Sequence, residues 1–299
     1  MRGIPRFVTS DSYTEAFGLQ WKTYRRTQLD SYTGTHISRD RLERCLGSSL
    51  DLVRGRSVLE AGCGAGRFTE ILLTAGARVF AFDLSQAVEA NLENCGAGAD
   101  YFVCQADALR IPAAPLAFDV VVALGMLQHT PSPEATIRSL ARHVRPGGLL
   151  VIDHYARPQS PLQRLVGQGP VRAVLRTAFL RLPPERALEA SRRLTATLLP
   201  VHRALWRPGA LPRFLRSLLH VLSPVFDYYD RLPQLDPARL TDFAYLDTHD
   251  ALTDRFKHLR SADEIRTCLE SCGLEGVEVG YAGNGVEARA RRPLDTDPS

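Results

Sequence analysis

From Ser57 to about Tyr155, short β-rich apolar runs alternate with longer stretches of helical period. That alternation restricts the segment to strands joined by crossover helices in a parallel sheet. The spacing predicts strands at Ser57–Ala61, Arg78–Asp83, Asp100–Cys104, Phe118–Leu124 and Leu149–Tyr155, each closed by glycine, aspartate or a polar turn. Helices are expected at Thr69–Ala75, Ser85–Asn94 and Pro133–Val144, with Ser85 as an N-cap and Pro133 in a first helical turn. Pro146-Gly147-Gly148 is expected to end the last helix and turn the chain into the fifth strand. Near the C-terminus a helix at Ala262–Cys272 precedes Val277, Val279 and Tyr281. Gly283-Asn284-Gly285 follows, then Val286, Ala288 and Ala290, the pattern of a hairpin. The expected architecture is α/β: a Rossmann-like sheet of seven strands, mostly parallel, ending in an antiparallel hairpin.

Between Ala156 and about His258 the chain changes to leucine- and arginine-rich amphipathic segments punctuated by proline. This reads as a helical cap inserted after the fifth strand, leaving the sheet at the carboxyl edge where open α/β sheets bind ligands. The expected division is a helical leader at 1–50, a core at 51–155 and 259–292, a cap at 156–258 and a flexible tail at 293–299. A length of 299 residues suits one enzyme core with a sizeable insertion. The composition, 44% apolar and 23% charged, argues against disorder or a disulfide-stapled miniature. No run approaches the roughly 18 apolar residues of a membrane span, and no secretory signal is evident, so a cytoplasmic protein without integral membrane association is expected. The six cysteines have no Cys-x-x-Cys or histidine spacing suited to zinc, so no metal is expected. Cys268 and Cys272 could share a helix face.

The stretch Val58-Leu59-Glu60-Ala61-Gly62-Cys63-Gly64-Ala65-Gly66-Arg67-Phe68 combines a strand, a glycine-rich turn and a helix start. Its glycines remove side chains where a ligand must touch backbone, and a helix N-terminus offers amide donors. A dinucleotide fingerprint requires glycine at the sixth position of the motif, where Arg67 stands. Asp83 closes the next strand, where a carboxylate can accept from both hydroxyls of a ribose. Asp107, after the third strand, can accept from an adenine amino group, with Ala108 offering a backbone amide to the ring.

These segments, with FDVVVALGMLQHTPSPEATIRSLARHVRPGGLLVIDHY, resemble the class I methyltransferases that use S-adenosylmethionine, in the ubiquinone- and menaquinone-biosynthesis branch (methyltransferase type 11). The resemblance covers Ser57–Tyr155 strongly and Ala262–Arg292 more loosely. It implies S-adenosyl-L-methionine as cofactor and Glu60, Gly62, Gly64, Gly66, Asp83, Leu84, Asp107, Ala108, Leu124 and Gly125 as its contacts; Cys63 and Arg67, in the same turn, are counted with them. Glu60 replaces the aspartate commonest there, a change that keeps the acidic charge. The run Ala16-Phe17-Gly18-Leu19-Gln20-Trp21, with Gln28, is similar to a leader in this branch, which implies Gln20, Trp21 and Gln28 over the methionine end of the cofactor.

Methyl transfer needs an acceptor held in line with a reactive cofactor, so positioning and water exclusion supply much of the catalysis. His129, after the fourth strand, is the candidate base for a hydroxyl or activated carbon. His154 and Tyr155, at the end of the fifth strand, are expected to face the same crevice. In the cap, Tyr228, Tyr229, His249 and Arg255 are candidate acceptor contacts, within polar-aromatic clusters that also serve as loop caps. The expected partner is a small-molecule acceptor, as in natural-product or other secondary metabolism, with a homodimer as the assembly. Competing readings are other chemistry on the same fold, a scaffold, and a peripheral enzyme that methylates a lipid or isoprenoid at the membrane surface, its basic helices Val171–Leu182 and Leu211–Leu222 lying on anionic lipid. Nucleic acid is disfavoured, because no N/D-P-P-Y/F motif follows the fourth strand.

Overall fold

The structure, a computed structural model, describes residues 3–8, 13–160, 169–205, 212, 215, 222–229 and 231–294. In chain order its helices and strands are α1 Glu15–Thr23, α2 Asp30–Thr33, α3 Ile37–Leu46, β1 Ser57–Ala61, α4 Thr69–Thr74, β2 Arg78–Asp83, α5 Val88–Cys95, β3 Tyr101–Gln105, β4 Phe118–Ala123, α6 Pro133–Ala141 and β5 Val144–His154. They continue with α7 Pro170–Phe179, α8 Pro184–Leu205, α9 Pro237–Thr253, α10 Ala262–Ser271, β6 Glu275–Ala282 and β7 Gly285–Arg291. The chain divides into two compact units: 1–14, 36–157 and 256–299 form one, and 15–35 with 158–255 form the other.

The first unit is built on a seven-stranded sheet in the order β3-β2-β1-β4-β5-β7-β6. The five central strands are parallel, and β7 and β6 close the edge antiparallel. Both faces of the parallel part are buried, and the strand period of two separates them. Val58, Val120, Val122, Leu149 and Val151 pack with Leu42 of α3 and Leu72 of α4. Leu59, Val121, Ala123, Leu150 and Ile152 pack with Ile137 of α6 and Ile265 of α10. The chain runs outward through β1, β2 and β3, then returns to β4 beside β1, so the strand order reverses between β1 and β4. Open α/β sheets form their ligand crevice beyond the carboxyl ends of strands at such a reversal.

Local chemistry explains two departures from the expected elements. Ser85 does not cap α5: its amide and hydroxyl donate to Asp83 Oδ1 (2.8 and 2.7 Å), its hydroxyl accepts from Ala87 N (3.1 Å), and the helix starts only at Val88. Pro146-Gly147-Gly148 lies inside β5 rather than before it. The pairing register with β4 shifts between Phe118 and Val120, and such an irregularity accommodates a residue that lacks an amide donor. Ser132, whose hydroxyl accepts from Ala135 N, caps α6 ahead of Pro133, and Ser261 with Glu264 forms a capping box on α10.

The second unit is helical. Phe179 of α7 packs with Ala187 of α8 and Leu252 of α9, and a second cluster joins Leu199, Val225 and Ala244. Pro200 lies within α8, so the helix runs through a proline expected to punctuate it. Among the described residues no helix is long and apolar enough to cross a membrane. Leu211–Leu222 falls largely outside the described residues, as does 295–299 of the expected tail.

Candidate active site

The turn after β1 is held from both sides. Phe82 O accepts from the amides of Gly62 (2.8 Å) and Cys63 (3.1 Å), and Asp83 Oδ2 accepts from Gly64 N (3.0 Å). From α5, Asn91 Nδ2 donates to Cys63 O (3.3 Å) and Thr69 Oγ1 (3.0 Å), while Asn94 Nδ2 donates to Ala65 O (2.8 Å). Carbonyl oxygens that would repel an electron-rich ligand are thereby engaged by α5. Gly62 has φ +68°, and a Cβ there would lie 2.6 Å from Met126 Cβ, so neither backbone nor space admits a side chain. Arg67 turns to α3, donating to Ser38 Oγ (2.8 Å).

Glu60 is buried, and Thr69 Oγ1 donates to its Oε2 (2.6 Å). Burial pushes its pKa up to about 8; Asp83 adds to the rise and Thr69 opposes it. The acidic charge expected at this position is therefore suppressed at neutral pH. Burial also raises Asp83, against the lowering pull of its bonds from Ser85 and Gly64.

At the end of β4, Leu124 is buried and Gly125 N donates to Asp153 Oδ1 (2.6 Å). Asp153, wholly buried on β5, also accepts from Arg41 Nη2 of α3 and from Asn284 Nδ2 (3.2 Å) of the hairpin turn. Arg41 lies over the Phe68 ring, 5.5 Å from its centroid. Burial works against the Arg41 charge, but Asp153 outweighs it and holds the guanidinium pKa above its ordinary value. Arg41 thus brings a guanidinium to the glycine turn. Neither Arg41 nor Asp153 is signalled by a local motif.

At the end of β3, Asp107 Oδ1 accepts from Leu109 N (2.9 Å), and Ala108 is buried. Leu84 O accepts from Gln105 Nε2 (2.8 Å), whose Oε1 accepts in turn from Arg6 Nη1. The segment around Arg6 is bridged in parallel to β3. Tyr13 follows it; burial raises its phenol pKa, and Asp107 and Asp83 add to the rise, so this ring stands with the two candidate ribose and adenine carboxylates. It meets Phe256 edge-on at 5.1 Å.

Residues 59–152 match the family described as Methyltransferase domain. That match runs from β1 into β5 of the first unit. Ubiquinone biosynthesis O-methyltransferase of Azoarcus sp. (strain BH72) is 37% identical over 98 residues, 31% of this chain and 42% of that protein. The protein of the same description from Pseudomonas fluorescens (strain SBW25) is 36% identical over 119 residues, 38% of this chain and 50% of its own length. The chain therefore spans half or less of the length of these curated relatives. The solved magnesium protoporphyrin IX methyltransferase of Synechocystis PCC 6803, with bound SAH, overlays with a TM-score of 0.46 at 14% identity, covering 94% of this chain and 96% of that one.

Beyond β4, His129 is buried, and its Nδ1 lies 3.2 Å from Phe256 O. A carbonyl only accepts, so Nδ1 donates, and in the neutral ring the lone pair sits on Nε2. Tyr155 meets His129 edge-on at 5.5 Å, and the Lys257 ammonium lies 5.9 Å from the Tyr155 ring centroid. His258 N donates to Gln128 O (3.0 Å) and Arg260 N to Tyr155 O (3.0 Å), so residues 256–260 border the ends of β4 and β5. His154 meets this group through the Tyr155 backbone. It is wholly buried, its Nδ1 donates to Tyr155 O (3.0 Å), and burial, reinforced by Arg260, lowers its pKa.

The remaining candidates belong to the helical unit, described by itself. Gln20, buried, and Trp21 lie on α1, and Gln28 lies between α1 and α2. His249 is wholly buried on α9 with Nδ1 3.1 Å from Ser191 Oγ, and burial lowers its pKa to about 4. Tyr228 donates its hydroxyl to Asp247, whereas Tyr229 is exposed. Arg255 has an exposed side chain, and its carbonyl accepts from Arg176 Nη2 (3.2 Å).

Proposed function

We propose that this chain transfers a methyl group from S-adenosyl-L-methionine to a small-molecule acceptor. The carrying observation is the strand-reversal crevice, where a glycine turn, the Asp83 carboxylate and the Arg41 guanidinium converge on one methyltransferase domain. The residues fit the cofactor's parts: Arg41 suits a carboxylate, Asp83 a ribose hydroxyl, and Asp107, Ala108 and Tyr13 an adenine. Leu84, Leu124 and Gly125 would line the same path. Of about four acceptor positions on a carboxylate, three on Asp83 are occupied by Gly64 and Ser85, which leaves Oδ2 one position for a hydroxyl. When bound, the cofactor supplies an electrophilic methyl group, so the protein's share is binding, orientation and exclusion of water.

In this reading His129 Nε2 takes a proton from an acidic acceptor group, and Tyr155 and Lys257 orient the acceptor. His154 has a supporting place beneath them. Gln20, Trp21 and Gln28 remain candidate cofactor contacts, and Tyr228, Tyr229 and Arg255 candidate acceptor contacts; the insertion's departure after Tyr155 and return at Phe256 support a role for it in acceptor selection. A cytoplasmic, homodimeric enzyme that does not act on nucleic acid belongs to the same proposal, and light scattering on the purified protein tests the dimer.

Calorimetric titration of S-adenosylhomocysteine tests the cofactor assignment without the acceptor. The wild type is expected to bind saturably and Asp83→Ala at least about tenfold more weakly, the loss of a charge-assisted hydrogen bond. No binding by the wild type would overturn the reading.

A further inference from the structure

The helical unit has a surface that methyl transfer does not explain. From Pro158 to Phe226 the sequence holds eleven arginines, no lysine and only two acids, Glu185 and Glu189, a net charge of +9 against +4 for the whole sequence. Within that stretch α7 is apolar on two sides. Its inner side is anchored: Leu175 and Phe179 join the cluster with Leu252, and Arg176 Nε donates to the buried Asp254 (2.6 Å). On the other side Val171, Val174 and Ala178, at i, i+3 and i+7, share a stripe open to solvent, and Val174 is 70% exposed. Past the helix end Leu180, Arg181 and Leu182 are exposed, and Arg186 and Arg192 are exposed on α8. The polar side chain of the stripe, Thr177, already donates its hydroxyl to Val174 O (2.7 Å), so covering the stripe strands no donor there.

We propose that the outer face of α7 docks on an anionic lipid bilayer, with Val171, Val174 and Leu182 entering the interface and Arg181 and Arg186 meeting the headgroups. Aliphatic side chains beside arginines, in a stretch almost without carboxylates, match a surface that is apolar beneath and negative above. A nucleic acid would call for aromatic platforms or polar readout, and the exposed stripe of α7 has neither. The helix lies on the bilayer rather than crossing it, in keeping with its length of 10 residues. This surface is independent of the cofactor reading, and the two fail separately.

The test is flotation of the full chain with vesicles of phosphatidylcholine alone and of phosphatidylcholine with about one third phosphatidylglycerol. Binding is expected only to the anionic vesicles. It should fall as salt rises from about 0.1 M to about 1 M, which shortens the Debye length from about 10 Å to about 3 Å. Val174→Asp and, separately, Arg181→Glu are expected to lower the vesicle partition coefficient about tenfold or more, with an unchanged melting temperature by circular dichroism as the control for folding. The proposal is overturned by no binding to anionic vesicles at low salt, by equal binding to both compositions, by unaltered binding of both variants, or by preference for a DNA or RNA duplex over vesicles.

Discussion

Two acids beside the glycine turn, Glu60 buried and Asp83 half-buried, differ in what water has been replaced with. Asp83 receives three hydrogen bonds, whereas the side-chain donor to Glu60 is one threonine hydroxyl, and its pKa rises from 4.5 to about 8. Between those values the folded chain keeps a proton that the unfolded chain has released. The stability from this carboxyl is therefore complete below about 4.5 and lost as pH rises through about 8. Glu60→Gln retains an acceptor for Thr69 and cannot ionise, so its melting temperature should fall less than the wild type's between mildly acidic and mildly alkaline buffer. Parallel pH curves for the two proteins would contradict the assignment. Arg41 and Asp153 form the complementary case, a charged pair with side chains 14% and 0% exposed. Removing either partner leaves a buried charge, and Arg41→Met or Asp153→Ala should each cost about 3–5 kcal/mol in urea unfolding. The double variant should cost less than the two singles together by about 1 kcal/mol or more; strict additivity would show that the pair is not coupled.

At the scale of elements, the hairpin and β5 constrain each other through backbone contact. β6 and β7 are joined by Gly283-Asn284, and Asn284 reaches back to Asp153. Gly285 opens β7 with φ +122°, and a Cβ there would lie 2.5 Å from His154 O and 2.6 Å from Ala156 N, backbone atoms that cannot swing aside. Gly285→Ala should therefore destabilise by on the order of 2 kcal/mol or more and loosen the ends of β5 and β7 together. Hydrogen exchange of the Val286 and His154 amides measures this; unchanged protection at both would refute it. β5 itself shows how an element outruns its local signals. Pro146-Gly147-Gly148 reads as a terminator, yet Gly147 N donates to Arg292 O and Arg292 N to Gly148 O, both at 3.0 Å, so hydrogen bonds to the C-terminal segment carry the strand through it.

Across the whole molecule, burial opposes protonation of His154 in the first unit and of His249 in the helical unit. His249, in the helical unit, has its pKa lowered from 6.5 to about 4 by burial, so its ring stays neutral where the unfolded chain takes up a proton. The stability this contributes is complete above about 6.5 and lost as pH falls toward 4. On acidification from pH 7 to pH 5, the amides of α8 and α9 should lose hydrogen-exchange protection before those of β1 and β4. A uniform loss across both units would show that His249 does not control acid sensitivity.

What consecutive residues encode was legible without coordinates: the period-two strands, the glycine turn, Asp83 at the end of β2, and the hairpin. Apolar alternation and missing side chains act over a few residues of chain, and burial of both sheet faces then leaves little choice of topology. Arg41 against Asp153, Tyr13 beside Asp83 and Asp107, Asn91 and Asn94 behind the turn, and Phe256 O against His129 were decided only by the fold. None of these pairings has a local period. Each depends on which helix or loop the closed sheet brings past a particular strand end, and there burial turns a commonplace arginine, asparagine or tyrosine into a part of the site.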